Sequence, residues 1–281
     1  MEINGWRYYN HAAIPLTPPH VEPNMCPVEN GTIWKIHKNE TLFVSYTTDF
    51  DFTEETDWWY VIKDSTFDIS SLKAKRRYEI NKGIQKFEVR QIDPCCYKEE
   101  IYGIFIAAYS AYPKKYRPSV EKNVLFEEIK AWKNGVVFGA FLRESGELAS
   151  VSYLPKAQND CVDFRMMRSN PIFEKYAVNA AMVNGILCYY DAFLAKGGYI
   201  CDGSRSINHE TAFQDYLEKY FGFRKAYGKL HIIYNPRVKW LFKTLFPLRK
   251  MLLKFDGIGL VHKLNSVLRL EEISRKTKNG F

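Results

Sequence analysis

The sequence predicts an α/β protein, because segments with strand and helix patterning follow one another along most of its 281 residues. Val136–Leu142 and Leu148–Leu154 are short apolar segments separated by a charged turn, which favours a β-hairpin. Phe213, Leu217 and Tyr220 recur at spacings of four and three residues, which place them on one face of a helix. Hydrophobic residues make up 46% of the chain, which supplies a sizeable core and excludes a disordered protein.

The first 69 residues are predicted to form a strand-rich extension. Residues 1–30 are rich in Pro, Asn and His, so we expect irregular structure there. Thr32–Ile36 and Thr41–Tyr46 alternate apolar and polar residues on either side of a polar turn, which predicts a hairpin. Asp57–Lys63 is predicted to be a third strand.

Residues 70–236 carry the main alternation of helices and strands. The helices are predicted from apolar residues at helical spacing and from Ser, Pro and Gly at their ends, and the strands from apolar runs that end at turn residues. In chain order we expect a basic helix from about Leu72, a strand at Phe87–Ile92, helices at Tyr97–Tyr109 and Ser119–Lys133, the hairpin, a strand at Asp160–Met167, a helix from Pro171 to about Ala195, a strand at Tyr199–Gly203, a helix from His209 and a closing strand through Leu230, Ile232 and Tyr234.

Residues 237–281 are predicted to form basic amphipathic helices. In Arg237–Phe255, Lys239, Lys243, Lys250 and Lys254 recur on one side at helical spacing, while Trp240, Leu241, Leu245, Leu248 and Leu252 project elsewhere. One interpretation is an interfacial anchor on anionic lipid. The other, which we expect, is a helix packed on its own domain, because Trp240 follows the closing strand so directly.

The net charge of +8 favours anionic partners, such as a coenzyme pyrophosphate, a transfer RNA or a lipid-linked phosphate. The six cysteines form no CxxC pair and no Cys–His spacing that suits a metal, a usage typical of a reducing cytoplasm. We find neither an apolar N-terminal run nor an apolar run of about 18 residues. The predicted location is therefore cytoplasmic, with peripheral membrane contact as an alternative.

Two ordered motifs resemble a known family. Glu218-Lys219-Tyr220-Phe221-Gly222 is similar to an F-K-x-x-F-G element, and Lys73–Gly83 (KAKRRYEINKG) is similar to a basic K-x-R-x-x-I-x-K-x helix that leads into a V-E-V-R strand, here Phe87–Arg90. The set, which spans roughly residues 58–236, resembles the acyl-CoA N-acyltransferase (GNAT-like) superfamily. Within it, the closest resemblance is to the Fem peptidoglycan-bridge aminoacyltransferases.

This resemblance implies a GNAT-like α/β fold, with a mixed central sheet, helices on both faces and a parallel pair of strands that splays apart to admit the donor. We expect residues 160–167 and 199–203 to be that pair, and residues 1–69 to be a reduced version of the family's N-terminal half. The implied activity is transfer of an acyl group from acyl-CoA or an aminoacyl-tRNA to an amine, in cell-envelope or polysaccharide synthesis. No permanently bound cofactor is expected.

Polar residues crowd the end of the predicted strand at 199–203, where ligands of α/β sheets commonly bind. Asp202, His209 and Glu210 are candidates for accepting the proton of the amine, and Ser204, Arg205 or backbone N–H groups for stabilising the oxyanion. Asn208 is a candidate donor contact. The structural alternatives are a turn residue for Asp202 and helix capping for Asn208 and His209.

Four more basic residues complete the candidate site. The resemblance implies that Lys219 lies near the reacting carbonyl of the donor, in one cleft with Asp202, Ser204, Arg205 and His209, whereas the alternative is a surface lysine over an aromatic face.

Arg165 and Arg168 flank a strand-to-helix junction that can bind phosphate. Arg168-Ser169-Asn170-Pro171 stands there in place of the family's Gly-rich loop, which argues against acetyl-CoA and fits a Fem-like donor or a non-catalytic ligand- or nucleic-acid-binding protein. Arg77 is expected to reach inward from the basic helix, whose lysines form either a solvated face or a phosphate contact.

Overall fold

The computed structural model describes residues 2–112, 114, 117–155, 158–207 and 212–278. The chain groups into two compact units. The first unit comprises Met1–Tyr60, Ser204–Thr211 and Lys225–Phe281, and the second comprises Val61–Gly203 and Ala212–Arg224. Most of the predicted N-terminal extension and all of the predicted C-terminal segment thus fall in the same unit.

Strands and helices alternate along the described chain, as predicted. The strands are β1 (Glu2–Ile3), β2 (Trp6–Tyr9), β3 (Ala12–Pro15), β4 (Phe43–Phe52), β5 (Trp59–Lys63), β6 (Phe87–Gln91), β7 (Gly135–Leu142), β8 (Leu148–Pro155), β9 (Cys161–Asp163), β10 (Met166–Ser169), β11 (Tyr199–Ser204) and β12 (Arg224–Tyr234). The helices are α1 (Cys26–Glu29), α2 (Ala74–Lys86), α3 (Lys98–Ser110), α4 (Lys122–Ala131), α5 (Val178–Tyr189), α6 (Asp191–Leu194), α7 (Ala212–Phe221), α8 (Pro236–Leu245), α9 (Arg249–Leu252) and α10 (Gly259–Lys278).

In the first unit, β1, β2, β3, β4 and β12 form consecutive strands of a mixed sheet. β3 runs parallel to β4, and the other neighbours are antiparallel. The first two connections are two-residue turns, Asn4-Gly5 and Asn10-His11, in which all four residues have positive φ. Such turns match the twist of paired strands. The expectation of irregular structure throughout residues 1–30 is therefore wrong.

The predicted hairpin at 32–46 is also wrong in its first half. Thr32–Lys35 is a short 3₁₀ helix, and Ile33 and Ile36 turn the same way into the core. His37, Lys38 and Asn39 all have positive φ, which no regular strand permits. Ile33 and Ile36 are three residues apart, a spacing that places both on one side of a helix, whereas strand alternation would place them on opposite faces.

The C-terminal helices belong to the first unit. Asn235 caps α8 by accepting a hydrogen bond from the Arg237 amide, and Phe242 stacks on Tyr234 with ring centroids 4.5 Å apart. In α10, Ile273 is buried with Trp58 and Leu230. No helix of the described residues is long and apolar enough to cross a bilayer.

In the second unit, β10, β8, β7 and β6 form an antiparallel sheet. The predicted hairpin at its centre is confirmed within one residue at each end. α3 and α4 cover this sheet with a buried cluster that includes Ile101, Leu125 and Ile129.

The predicted strand at 160–167 is present but divided. Its first part, β9, pairs in parallel with β11, with Tyr199 opposite Cys161 and Cys201 opposite Asp163. The Phe164 amide still donates to the Cys201 carbonyl, at 2.8 Å, and then the chain leaves and enters the other sheet as β10 beside β8. The parallel pair therefore parts beyond Phe164, as expected for a splayed pair.

The predicted helix from Pro171 is interrupted. Pro171–Tyr176 is a 3₁₀ helix, and Ala177, with φ of 62°, separates it from α5. The first turn of α5 packs closely on α2, since a Cβ placed on Gly83 would lie 2.5 Å from the Ala177 carbonyl oxygen. α2 itself begins at Ala74 rather than near Leu72.

Candidate active site

The end of β11 carries Asp202, one residue beyond the last paired residue of the parallel pair. Gly203 follows with φ of 97°, a left-handed conformation that favours glycine, and its amide contacts the sulfur of Cys201 at 3.4 Å. β9 ends at Asp163, so its register with β11 stops at Cys201, one residue before Asp202. The positive φ of Gly203 within β11 and the parting of the two strands together position the Asp202 carboxyl group.

The carboxyl group of Asp202 lies in surroundings that disfavour its charge. Loss of hydration raises its pKa from 3.8 to about 7, a hydrogen bond with Gln214 acts in the opposite direction, and the nearby Asp163 adds to the rise. A buried acid near its midpoint at neutral pH can both accept and return a proton. These properties are typical of a general acid–base group.

Gln214 is a partner of Asp202 that the sequence analysis missed. It lies on the buried face of α7 together with Leu217 and Phe221, at spacings of three and four residues. The predicted face of Phe213, Leu217 and Tyr220 is rotated from the one observed. The sequence does contain a signal for this contact: Gln214 lies among apolar residues at helical spacing, and a buried side-chain amide needs a polar partner.

Arg165 forms an ion pair with Asp163 immediately after β9. Its ε nitrogen lies 2.7 Å from the Asp163 Oδ2, and one terminal nitrogen lies 2.6 Å from the same oxygen. Both side chains are partly exposed, so this pair contributes about 1 kcal/mol or less to stability. The Asp163 carboxylate keeps this partner while its charge still contributes to the raised pKa of Asp202.

Arg168 lies against α3. Its guanidinium carbon is 5.9 Å from the ring centroid of Phe105 and 5.5 Å from that of Tyr109, and one terminal nitrogen donates to the Met167 carbonyl at 2.7 Å. Its ε nitrogen is buried and has no hydrogen-bond partner among the described residues. The Arg168 side chain is thus occupied by aromatic contacts.

At the junction between β10 and α5, polar side chains hydrogen-bond to groups of the junction itself. The Ser169 hydroxyl donates to Asn179 at 2.6 Å, and Asn170 accepts from the Ile172 amide at 3.2 Å. The packing of Gly83 against Ala177 brings α2 over the first turn of α5. A pyrophosphate would have to displace these contacts to reach the helix N-terminus.

Lys219 is exposed near the end of α7, with its amine 5.6 Å from the Tyr220 ring centroid. Five residues separate it from Gln214, which corresponds to about 140° around a helix. It therefore projects from a different side of α7 than the Asp202 partner does. Gly222 has φ of 66°, which confirms the predicted helix stop.

Arg77 does not reach into the domain as expected. Its side chain is exposed and donates to the Ser70 carbonyl at 3.0 Å, because the buried face of α2 is formed by Ile80 and Gly83. Lys73 and Lys75 are exposed as well, so the first turns of α2 present a basic surface.

Arg205 lies in the first unit, three residues beyond Asp202 along the chain. Its guanidinium carbon is 4.4 Å from a Trp59 ring centroid, and the Lys225 amine is 4.6 Å from a Trp59 ring centroid. Arg205 also donates to the Asp57 carbonyl at 2.7 Å, and the Lys276 amine binds the Asp57 carboxylate at 2.7 Å. Three cations thus surround one carboxylate and one indole.

The remaining predicted site residues are placed only in part. Ser204 ends β11 and is partly exposed. Asn208, His209 and Glu210 lie outside the described residues. Among the residues that are described, no three His, Cys, Asp or Glu side chains come together as a metal site requires.

Comparison with family models finds no match, and comparison with curated protein sequences finds none either. Solved structures do match. A structure of FemX shares 9% identity over 78% of this chain and 78% of its own, with a TM-score of 0.52. A conserved protein of unknown function from Bacteroides thetaiotaomicron shares 10% identity over 79% of this chain and 78% of its own, with a TM-score of 0.50.

L-PGS from Bacillus licheniformis matches at 14% identity over 89% of this chain and 71% of its own, but with a TM-score of 0.45. The similarity to FemX agrees with the fold implied by the motifs at Lys73–Gly83 and Glu218–Gly222. The chain therefore has a GNAT-like α/β fold, similar to that of FemX.

Proposed function

We propose that this protein is an acyltransferase that moves an aminoacyl or acyl group from an activated donor to an amine. The observation that carries the proposal is Asp202, a carboxyl group with a pKa of about 7 at the end of the splayed pair. Ligand sites of α/β folds favour such strand ends. The similarity in fold to FemX supports the same class of reaction.

In the proposed mechanism, ionised Asp202 takes a proton from the acceptor's ammonium group. The freed nitrogen lone pair attacks the donor's carbonyl carbon, and a tetrahedral oxyanion forms. The oxyanion collapses, a new C–N bond remains, and the ester oxygen or thioester sulfur of the donor leaves. Asp202 returns its proton to that leaving group, and the attacking nitrogen releases its second proton to solvent, which leaves a neutral amide. Because the pKa of Asp202 is close to neutral, both proton transfers are feasible at the same pH.

We further propose an aminoacyl-tRNA as the donor in preference to acyl-CoA. The closed junction between β10 and α5, which lacks a Gly-rich loop, argues against a coenzyme pyrophosphate at that point. The exposed basic residues of α2 suit a polyanion. The acceptor is proposed to be an amine on a cell-envelope or polysaccharide precursor, in keeping with the Fem resemblance.

The remaining site residues have proposed roles, which follow from the Fem resemblance for Lys219 and from the polar cluster at the strand end for the others. Lys219 is assigned to the donor's reacting carbonyl, and Ser204 and Arg205 to the oxyanion or the donor. His209 is assigned as a second proton acceptor, and Asn208 as a donor contact.

The experiment is to incubate purified protein with charged tRNA and with acyl-CoA panels, in the presence of small-molecule and cell-envelope amines, and to detect products by mass spectrometry. We expect transfer whose kcat rises with pH and levels off above an apparent pKa of about 7. Asp202→Asn should lower kcat by about 10²–10⁴-fold.

Asp215→Asn is the matched control, because Asp215 is exposed on the same helix that carries Gln214. Its kcat should stay at the wild-type value. Absence of transfer from every donor would contradict the proposal, and so would full activity of Asp202→Asn. Products from acyl-CoA alone would retain the reaction class and overturn the donor assignment.

A further inference from the structure

A second surface of the molecule is apolar, basic and unrelated to Asp202. Trp240, Leu241, Leu248, Met251, Leu253, Phe255 and Ile258, here called the C-terminal apolar surface, are all exposed. They represent seven of the fifteen exposed large apolar side chains of the described residues, and they lie within 19 consecutive positions. Trp240, Ile258 and Phe255 are 65%, 58% and 52% exposed. Single exposed apolar residues are ordinary, but this concentration within one short segment is typical of an interaction site.

The segment that carries this surface is anchored on its other side. In α8, Phe242 is buried against Tyr234, whereas Trp240 projects from the opposite side, two residues or about 200° away. Arg249 binds Glu272 of α10 at 3.2 Å, and its guanidinium lies over the Phe246 ring. The C-terminal apolar surface is therefore the outer face of a packed segment.

Further contacts hold the end of the segment. The Asn265 side-chain amide donates to the Asp256 carboxylate at 2.7 Å, and the Nδ1 of His262 lies 2.9 Å from the other oxygen of that carboxylate. Asp256 is the only acid between residues 236 and 258, and these contacts occupy both of its oxygens. The sole negative charge of the segment is thus engaged internally.

The same residues, 236–258, include six basic side chains. Four of them are exposed lysines: Lys239, Lys243, Lys250 and Lys254. A partner for this surface has to accept apolar groups and cations side by side. An anionic bilayer does so, because phosphates attract the lysines while the acyl region takes the Trp, Phe and aliphatic side chains.

We propose that residues 236–258 dock the protein on an anionic lipid surface, with Trp240 and Phe255 inserted at the level of the headgroups. A nucleic acid would satisfy the lysines but would leave Leu253 and Ile258 exposed to water. A second copy of the chain would bring two strongly basic segments together without an acid to offset them. The exposure of Trp240 shows that the expectation of its burial against its own domain is wrong. The proposal is independent of the acyltransferase assignment.

The test is sedimentation of the full chain with vesicles of phosphatidylcholine containing increasing fractions of phosphatidylglycerol. We expect binding to rise with the anionic fraction and to fall with salt. Replacing one of the four exposed lysines by Gln should weaken binding about fivefold, and Trp240→Ala combined with Phe255→Ala about tenfold or more. These side chains are exposed, so the variants should melt like the wild type.

Matched controls lie in the second unit. Ile172→Ala combined with Val124→Ala removes two equally exposed apolar groups, and Lys196→Gln removes an exposed lysine. None of these should change vesicle binding. The proposal fails if binding ignores the phosphatidylglycerol fraction, or if the Trp240 and Phe255 variant binds like the wild type. Self-association that Trp240→Ala abolishes, without vesicle binding, would assign the surface to a second copy instead.

Discussion

At the scale of single residues, Asp202 carries a charge that the folded protein disfavours. Its pKa of about 7 in the folded state lies above the ordinary 3.8, so the folded state holds the proton more tightly than the unfolded state does. The stability associated with this group is fully present below pH 3.8, declines as the pH rises, and is lost above pH 7. Ionised Asp202 therefore lowers the stability of the folded protein around and above neutral pH, and such destabilising residues are typical of functional sites.

Asp202→Asn should consequently raise stability where wild-type Asp202 is ionised. We expect the free energy of unfolding at pH 8 to increase by up to about 4 kcal/mol relative to the wild type, while the difference shrinks towards pH 5. Chemical denaturation at both pH values measures this. Equal stability of variant and wild type at pH 8 would show that the carboxyl group is well hydrated.

Replacement of Lys219, in contrast to that of Asp202, should change the catalytic rate without changing the free energy of unfolding. Because it is exposed, Lys219→Ala should change stability by less than about 0.5 kcal/mol. If its amine meets the donor carbonyl, the variant should lose roughly 3 kcal/mol of transition-state stabilisation, or about 100-fold in kcat. Lys196→Ala, another exposed lysine, is the control. Unchanged turnover of Lys219→Ala would make Lys219 a surface residue over Tyr220.

Sequence analysis selects Asp202 as a candidate but does not identify Gln214, its hydrogen-bond partner. Asp202 follows the apolar residues Tyr199–Cys201 near the end of β11, and such a change from apolar to polar residues is recognisable locally. Gln214 lies twelve residues further on, and its contact with Asp202 depends on how α7 is rotated about its axis. That rotation is set by the packing of Leu217 and Phe221, which the residue pattern specified only within about one position.

At the scale of elements, the contact between α2 and α5 depends on one missing side chain. Gly83→Ala would place a Cβ 2.5 Å from the Ala177 carbonyl and 3.0 Å from the Ala181 nitrogen, both backbone atoms. We expect a loss of about 1–3 kcal/mol from overpacking. Gly103→Ala in α3 meets nothing within 4 Å and should instead stabilise by about 0.5–1 kcal/mol. Thermal unfolding of both variants tests the contact, and stabilisation by Gly83→Ala would disprove it.

Predictions for elements succeeded where the determinants are close in sequence. The hairpin of β7 and β8 was located within one residue, because both strands are apolar and their connection is short. The turns at Asn4-Gly5 and Asn10-His11 were an equally local signal that we did not weigh against the surrounding polar residues. Residues 160–167 divide into β9 and β10 because β9 pairs with β11 in one sheet and β10 pairs with β8 in the other. Both partners are distant in sequence, so no local residue pattern predicts this division.

At the scale of the whole molecule, the net charge of +8 favours association with polyanions. For an aminoacyl-tRNA donor we expect kcat/KM to fall about tenfold or more as salt increases from about 50 to about 200 mM. The KM of a small neutral acceptor should not change over the same range. Steady-state kinetics at several salt concentrations measures both, and a donor kcat/KM independent of salt would argue against a nucleic-acid donor.

The pairing of β4 with β12 also has a consequence for biosynthesis. Thr48 and His231, whose side chains meet at 2.7 Å, are 183 residues apart in the chain. At about 5–20 residues per second, a ribosome needs roughly 10–40 s to synthesise the chain between them. During that interval the edge of β4 that later pairs with β12 has unpaired backbone N–H and C=O groups, which can pair wrongly with strands of other nascent chains. Chaperone shielding of Phe43–Phe52 would therefore matter most while the second unit is being translated.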